Sequence, residues 1–354
     1  MTGASVTEPG PGRDEAQASR KLRNGLISLA LLVVLVVGLL LAVPGLHAVA
    51  KQITHMQASW LALAVALEIL SCLGYVVAFL QVFERAPIRF GARVALSELA
   101  FGAAVSLGGA GSVAVGGWLL VERGGPPDRI AERSAVLFLL TSAVNVITLV
   151  LAGFGLFLGV FSGPSNPLLS VVPAAVGTVV FVFFLLLPRY VERLANLRRA
   201  GRLRGLLLGA ARSVRMTIEL LATPDWRILG AIGYLWFDIG ALAACFAAAG
   251  HVPPLAVVVL AYQIGYLANL IPIPGNIGVL DGSLVGMFVL YGVSASLAAA
   301  ATVVYHAIAL WIPATWGTIA FLVLRRSRAR PLTLRPPLAE RRRLRAARKA
   351  QREG

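Results

Sequence analysis

Charge is what this sequence has least of. Only 14% of its 354 residues are Asp, Glu, Lys or Arg, whereas 58% are hydrophobic. A water-soluble domain needs more charge to keep its surface solvated, so that class is excluded. Cysteine is nearly absent: Cys72 and Cys245 both lie in apolar runs, which rules out a disulfide framework or a cysteine zinc cluster. Acid is scarce beside base, 16 against 32, for a net charge of +16. The surplus sits in blocks outside the apolar runs. Twelve Arg or Lys follow Leu324, against Glu340 and Glu353, and nine Arg fall between Pro188 and Arg227. Such blocks suit juxtamembrane segments held by anionic lipid and do not call for nucleic acid. No Walker, H-E-x-x-H, G-x-S-x-G or paired-aspartate protease motif occurs, so no cofactor, metal or ATP drive is expected.

Long apolar runs fill the rest. Leu26 to Val43 is almost wholly apolar, and about 20 such residues cross a bilayer. This first run follows Arg20, Lys21 and Arg23 and precedes "HAVA". It imitates a secretory signal, but its apolar core is longer than a usual one, so a retained anchor is expected. The chain therefore reads as an all-α polytopic membrane protein. Full spans are expected at about 26–46, 59–83, 133–160, 168–188, 227–249 and 297–324. Residues 1–23 read as a disordered basic tail, 24–324 as the transmembrane domain and 325–354 as a basic cytoplasmic tail.

Two further apolar regions, 93–120 and 255–291, are broken by "LGGAGSVAVGG" and by "NLIPIPGNIGVLDG". Basic residues stay on the cytoplasmic side. Arg20, Lys21 and Arg23 put the N-terminus inside, and two spans later Arg85, Arg89 and Arg93 are inside again. Arg123, Arg129 and Arg133 stay inside only if 93–120 enters and returns. The arginine-rich segment 188–227 and the tail require the same of 255–291, entered from outside. Both regions therefore read as re-entrant hairpins. At an offset of 167 residues Gly108 and Gly111 fall on Gly275 and Gly278, and Gly125 on Gly292. Three spans separate the pair, so repeat one (about 59–188) and repeat two (about 227–324) are inverted. Broken segments in inverted repeats mark midplane transport sites.

Irregular backbone at membrane depth must face protein or a wet cavity. Pro272 and Pro274 end the incoming helix, Gly275 and Gly278 allow reversal beside Asn276, and Asp281 or Ser283 can cap the outgoing helix. A helix start of this kind attracts phosphate, although Asp281 would repel it. Tyr262, Tyr266 and Asn269 share a helical face, which either lines a headgroup path or packs against another helix. Glu68, Glu98, Asp238 and His306 are ionisable in apolar surroundings. They read either as carriers of a proton or headgroup contact or as satisfied interhelical groups. Asn145, with Thr141 and Thr148 on its face, reads as glue between helices.

At these residues the chain resembles the flippase-like transmembrane part of lysylphosphatidylglycerol synthases and the stand-alone UPF0104 membrane proteins. The motif is "PIPGNIGVLDG", similar to the family's P-x-P-G-G-x-G-x-x-E. "YGVSASLAAAATVVYHAIALWIPATWG" and "GGAGSVAVGGWLLVERGG" support it, over about Leu22 to Leu324. The resemblance implies movement of a lipid headgroup between leaflets at Pro272, Pro274, Gly275 and Gly278. Asn276 replaces a glycine and Asp281 a glutamate. His306 stands where arginine is frequent and binds phosphate less strongly. The soluble aminoacyltransferase domain of the bifunctional relatives does not fit into the residues after Leu324, so synthase activity is not expected.

Transport of a phospholipid or lipid-linked substrate at the plasma membrane is the leading reading, with both termini cytoplasmic and a homodimer left open. The alternatives are a non-transporting partner of a lipid- or envelope-modifying enzyme, acting through its basic tail, and an intramembrane enzyme using Ser112 and His306.

Overall fold

The computed structural model of the protein describes residues 47–104, 110–164, 166–197, 202–223, 225–266 and 279–326. Contacts divide the chain into Met1–Lys51 and Gln52–Gly354. The first unit is described only over the opening turn of a helix; everything below concerns the second. In chain order the helices are α1 (His47–Thr54), α2 (Ala58–Val82), α3 (Ile88–Ala104), α4 (Ala110–Glu122), α5 (Pro127–Phe157) and α6 (Pro167–Leu197). They continue with α7 (Arg202–Ala222), α8 (Ile228–Ala248), α9 (Leu255–Gly265), α10 (Val279–Leu290) and α11 (Ala295–Arg326). There is no strand among the described residues.

Five of these helices, α2, α5, α6, α8 and α11, are long and apolar enough to cross a membrane. They match five of the six expected spans; the sixth, 26–46, lies outside the described residues. The ends differ where proline acts. Helix α5 begins at Pro127, six residues before the expected start, because proline suits the first helical position. Its first two turns therefore carry Asp128, Arg129, Glu132 and Arg133. Helix α6 runs through both Pro173 and Pro188 to Leu197, past the expected end at 188. A helix packed on neighbours can absorb the lost amide donor.

The arginine-rich segment 188–227 is more than a connection, since α7 occupies most of it and packs on α5 and α6. Ala211, Val214 and Thr217 point inward at helical spacing while Arg212 stays exposed. Ser213 donates to the Glu132 carbonyl at 3.4 Å. An amphipathic basic helix of this type suits the membrane interface. Asn145, expected as interhelical glue, donates its amide to the Thr141 carbonyl of its own helix at 2.9 Å, and Thr141 bonds to Leu137. Both side chains turn back on their own helix.

The centre is a pair of helices in antiparallel contact along their whole length. Gln57 N–H donates to the Ala248 carbonyl at 3.0 Å, Ser71 to the Tyr234 carbonyl at 2.8 Å, and Arg227 approaches Glu84 at 3.4 Å. As numbers rise on α2 they fall on α8. Glycine permits the approach: a Cβ at Gly74 would lie 2.6 Å from the Tyr234 nitrogen, and one at Gly230 would lie 2.7 Å from the Val77 Cβ. Lipid supplies no hydrophobic push between helices, so close packing of small residues holds them.

Four helices of 11 to 17 residues form two pairs, α3 with α4 and α9 with α10, and each pair also leans on a long helix of the other half. Helix α3 lies along α11, where a Cβ on Gly317 would overlap the Leu96 carbonyl oxygen and Phe101 meets Phe321 edge-on. Helix α9 lies against α5. Both pairs end alike. Gly124 (φ 84°) and Gly292 (φ 88°) are left-handed caps. Around the first, Gly124 N–H bonds to Val121 and Gly125 to Leu120; around the second, Gly292 bonds to Val289 and Val293 to Phe288. The counterpart of Gly292 is therefore Gly124, one residue from the Gly125 expected from sequence, because the positive φ decides which glycine caps.

Candidate functional site

Asp238 sits at the middle of α8, and three helices converge on it. From α9, the Tyr262 hydroxyl donates to Asp238 Oδ2. From α11, Tyr305 donates to Oδ1 at 2.7 Å. The Tyr266 hydroxyl lies 2.8 Å from that of Tyr305, and its ring stacks on Tyr262 with centroids 4.3 Å apart. From α2, the Glu68 carboxyl faces Asp238, and Tyr234 stands beside both. Cys72 Sγ approaches Glu68 Oε1 at 3.9 Å. Glu68 Oε2 is buried and has no hydrogen-bond partner among the described residues.

Why these residues meet follows from the packing. The antiparallel register sets Glu68 against Asp238, because Ser71, one turn further on, already pairs with Tyr234. The spacing of Tyr262 and Tyr266 puts both on one face of α9. Glu68, Tyr262 and Tyr305 are buried. Asp238 and Tyr266 are only half-buried despite their depth in the bundle, so the cluster borders accessible space.

A second buried acid lies on the other helix pair. Glu98 of α3 is 1% exposed. It accepts the Tyr75 hydroxyl on Oε2 at 2.8 Å. Gly116 of α4 makes room for it, since a Cβ there would overlap the carboxyl group. Tyr75 and Tyr234 lie 5.1 Å apart between ring centroids and bring the two clusters together. Separately, an apolar groove of about 270 Å³, lined by Leu151, Phe161, Trp236, Leu255 and Val259, opens between α5, α8 and α9.

Of the residues singled out from sequence, the structure gathers Glu68, Asp238, Tyr262 and Tyr266. Glu98 stands apart with Tyr75. His306 is half-buried on α11, but the side chain that reaches Asp238 from this helix is Tyr305. Gly111 falls in the first turn of α4. Asp281 falls in the first turn of α10, and its side chain is outside the described part. Gly108, Asn269, Pro272, Pro274, Gly275, Asn276 and Gly278 lie outside the described residues. Sequence reading missed Tyr305 and Cys72 as acid partners. The available signal was a hydroxyl or thiol in an apolar helix of a chain with unpaired intramembrane acids.

The family described as lysylphosphatidylglycerol synthase TM region matches residues 26–317. The chain belongs to that family. It is also similar to a UPF0104 membrane protein of Methanothermobacter thermautotrophicus, 37% identical over 90 residues. The match covers 25% of this chain and 26% of the relative, so the shared stretch spans about a quarter of that relative's length. Membership agrees with the five apolar helices: this is a multi-pass membrane protein of a lipid-related family.

Proposed function

We propose that the protein carries a phospholipid or lipid-linked headgroup between leaflets of the cell membrane, as a transporter rather than a synthase. The observation that carries this reading is the polar cluster at Asp238, buried within apolar helices yet bordering accessible space. Intramembrane ionisable groups are costly and belong by default to a pathway. The helix pairs α3/α4 and α9/α10 support re-entrant hairpins. Their described parts, of 17, 13, 11 and 12 residues, are about 17–26 Å long. The antiparallel α2 and α8, and the matching glycine caps, support inverted repeats. The groove beside Trp236 has the apolar lining an acyl chain needs while a headgroup follows the tyrosine face of α9. Basic segments, including α7, favour a cytoplasmic side rich in anionic lipid, with both termini there.

The test is translocation of fluorescent phospholipids in vesicles holding the purified full chain. Transfer between leaflets faster than in protein-free vesicles is expected. Equal rates for every headgroup class offered, with and without ion gradients, would remove the reading.

A further inference from the structure

We propose that Asp238 is a proton-operated latch on the second helix pair, so that lipid movement is coupled to proton binding there. The inference rests on the transport reading and names its energy source. One carboxyl group holds α9 at two points. Tyr262 bonds to it directly, and Tyr266 reaches it through Tyr305 of α11. Bonds to a carboxylate are roughly twice as strong as bonds between neutral groups. Protonation of Asp238 therefore loosens α9 from α8 and α11 together, and loss of the proton seats it again.

The surroundings suit a proton. Glu68 supplies a second carboxyl, 5% exposed and set against that of Asp238. The two tyrosine hydroxyls converge on Asp238 and not on Glu68, so Asp238 is the carboxyl whose charge bears on α9. The ionisable groups facing the pair are Cys72 from α2, Tyr234 from α8, Tyr262 and Tyr266 from α9 and Tyr305 from α11. His306 is the next residue on α11. Helices α2, α8 and α9 contain no Lys or Arg, α5 has none beyond Arg133, and α11 has them only at Arg325 and Arg326. No basic side chain of these helices therefore neutralises the pair at this level. Asp238 is half-buried rather than sealed, as a group that exchanges a proton must be.

Vesicles with the full chain, a fluorescent phosphatidylglycerol analogue and an internal pH dye provide the test. An imposed pH gradient should change the translocation rate by about tenfold, the scale of losing a charge-assisted bond, and translocation should shift the internal pH. Asp238→Asn should abolish both responses. Translocation that ignores the gradient and moves no protons overturns the latch and leaves transport standing. If no lipid moves at all, transport fails, and a second measurement judges the latch. In detergent, a carboxylic-acid infrared band absent from Asp238→Asn should rise with acid, and amide exchange in Leu255–Gly265 should quicken with it. The doubly substituted Y262F/Y305F protein should exchange there at the fast rate at every pH. Exchange that does not follow the band overturns the proposal.

Discussion

The two short-helix pairs use one bond in opposite senses. In the first half, Tyr75 on the long helix donates to Glu98 on the short one. In the second, Tyr262 on the short helix donates to Asp238 on the long one. The limbs exchange sizes as well. Glu98 packs on Gly116, whereas Gly265 leaves room for Leu284 and accepts the Ser283 hydroxyl on its carbonyl at 2.7 Å. The scaffold is repeated and the chemistry is not. Among the described residues Glu98 is enclosed with a single donor, whereas Asp238 has two donors, a neighbouring acid and partial exposure. A repeat can thus keep its packing while one copy becomes structural and the other remains free to change state.

The largest expected effect tests the shared scaffold. Gly230→Leu or Gly317→Leu should each cost about 3 kcal/mol or more, since backbone lies where the side chain would go. Loss of the monodisperse peak in detergent would register it; a well-behaved protein would mean that the halves tolerate separation. Next comes the asymmetry. Asp238→Asn should slow lipid translocation by about tenfold or more, because the latch can no longer gain and lose its charge, while Glu98→Gln should change it little. Equal effects would erase the distinction between the copies.

Stability should show the reverse order. Tyr75→Phe strands Glu98 without a donor and should cost about 2 kcal/mol, whereas Tyr305→Phe leaves Tyr262 on Asp238 and should cost about 1 kcal/mol. Thermal melts of the two variants in one detergent would rank them. The smallest effect lies at the end of the α2–α8 contact. Arg227 bonds to Asp225 at 2.5 Å and approaches Glu84 at 3.4 Å. Arg227→Gln should cost about 0.5 kcal/mol. Its hydrogen bond to Asp225 raises the guanidinium pKa above its ordinary value. The contribution is therefore complete below the unfolded pKa and lost only as pH rises through the folded one, so melts near neutrality should show no pH dependence from it.

Sequence alone determined the apolar helices, because hydrophobic length is a local property that the bilayer reads directly. It also marked two broken regions through their glycines and prolines, and it picked out Glu68, Asp238, Tyr262 and Tyr266, because charge and hydroxyl are conspicuous among Leu and Val. It did not show α7, whose arginines disguised an amphipathic face, nor that Asn145 and Thr141 bond within their own helix. Only the tertiary structure decided that Asp238 meets Tyr305 while Glu98 meets Tyr75. Those partners lie 67 and 23 residues apart in sequence, and which pairs form depends on the register and approach of whole helices. That register is set by glycines whose value is the absence of a side chain, visible only once the opposing backbone is in place.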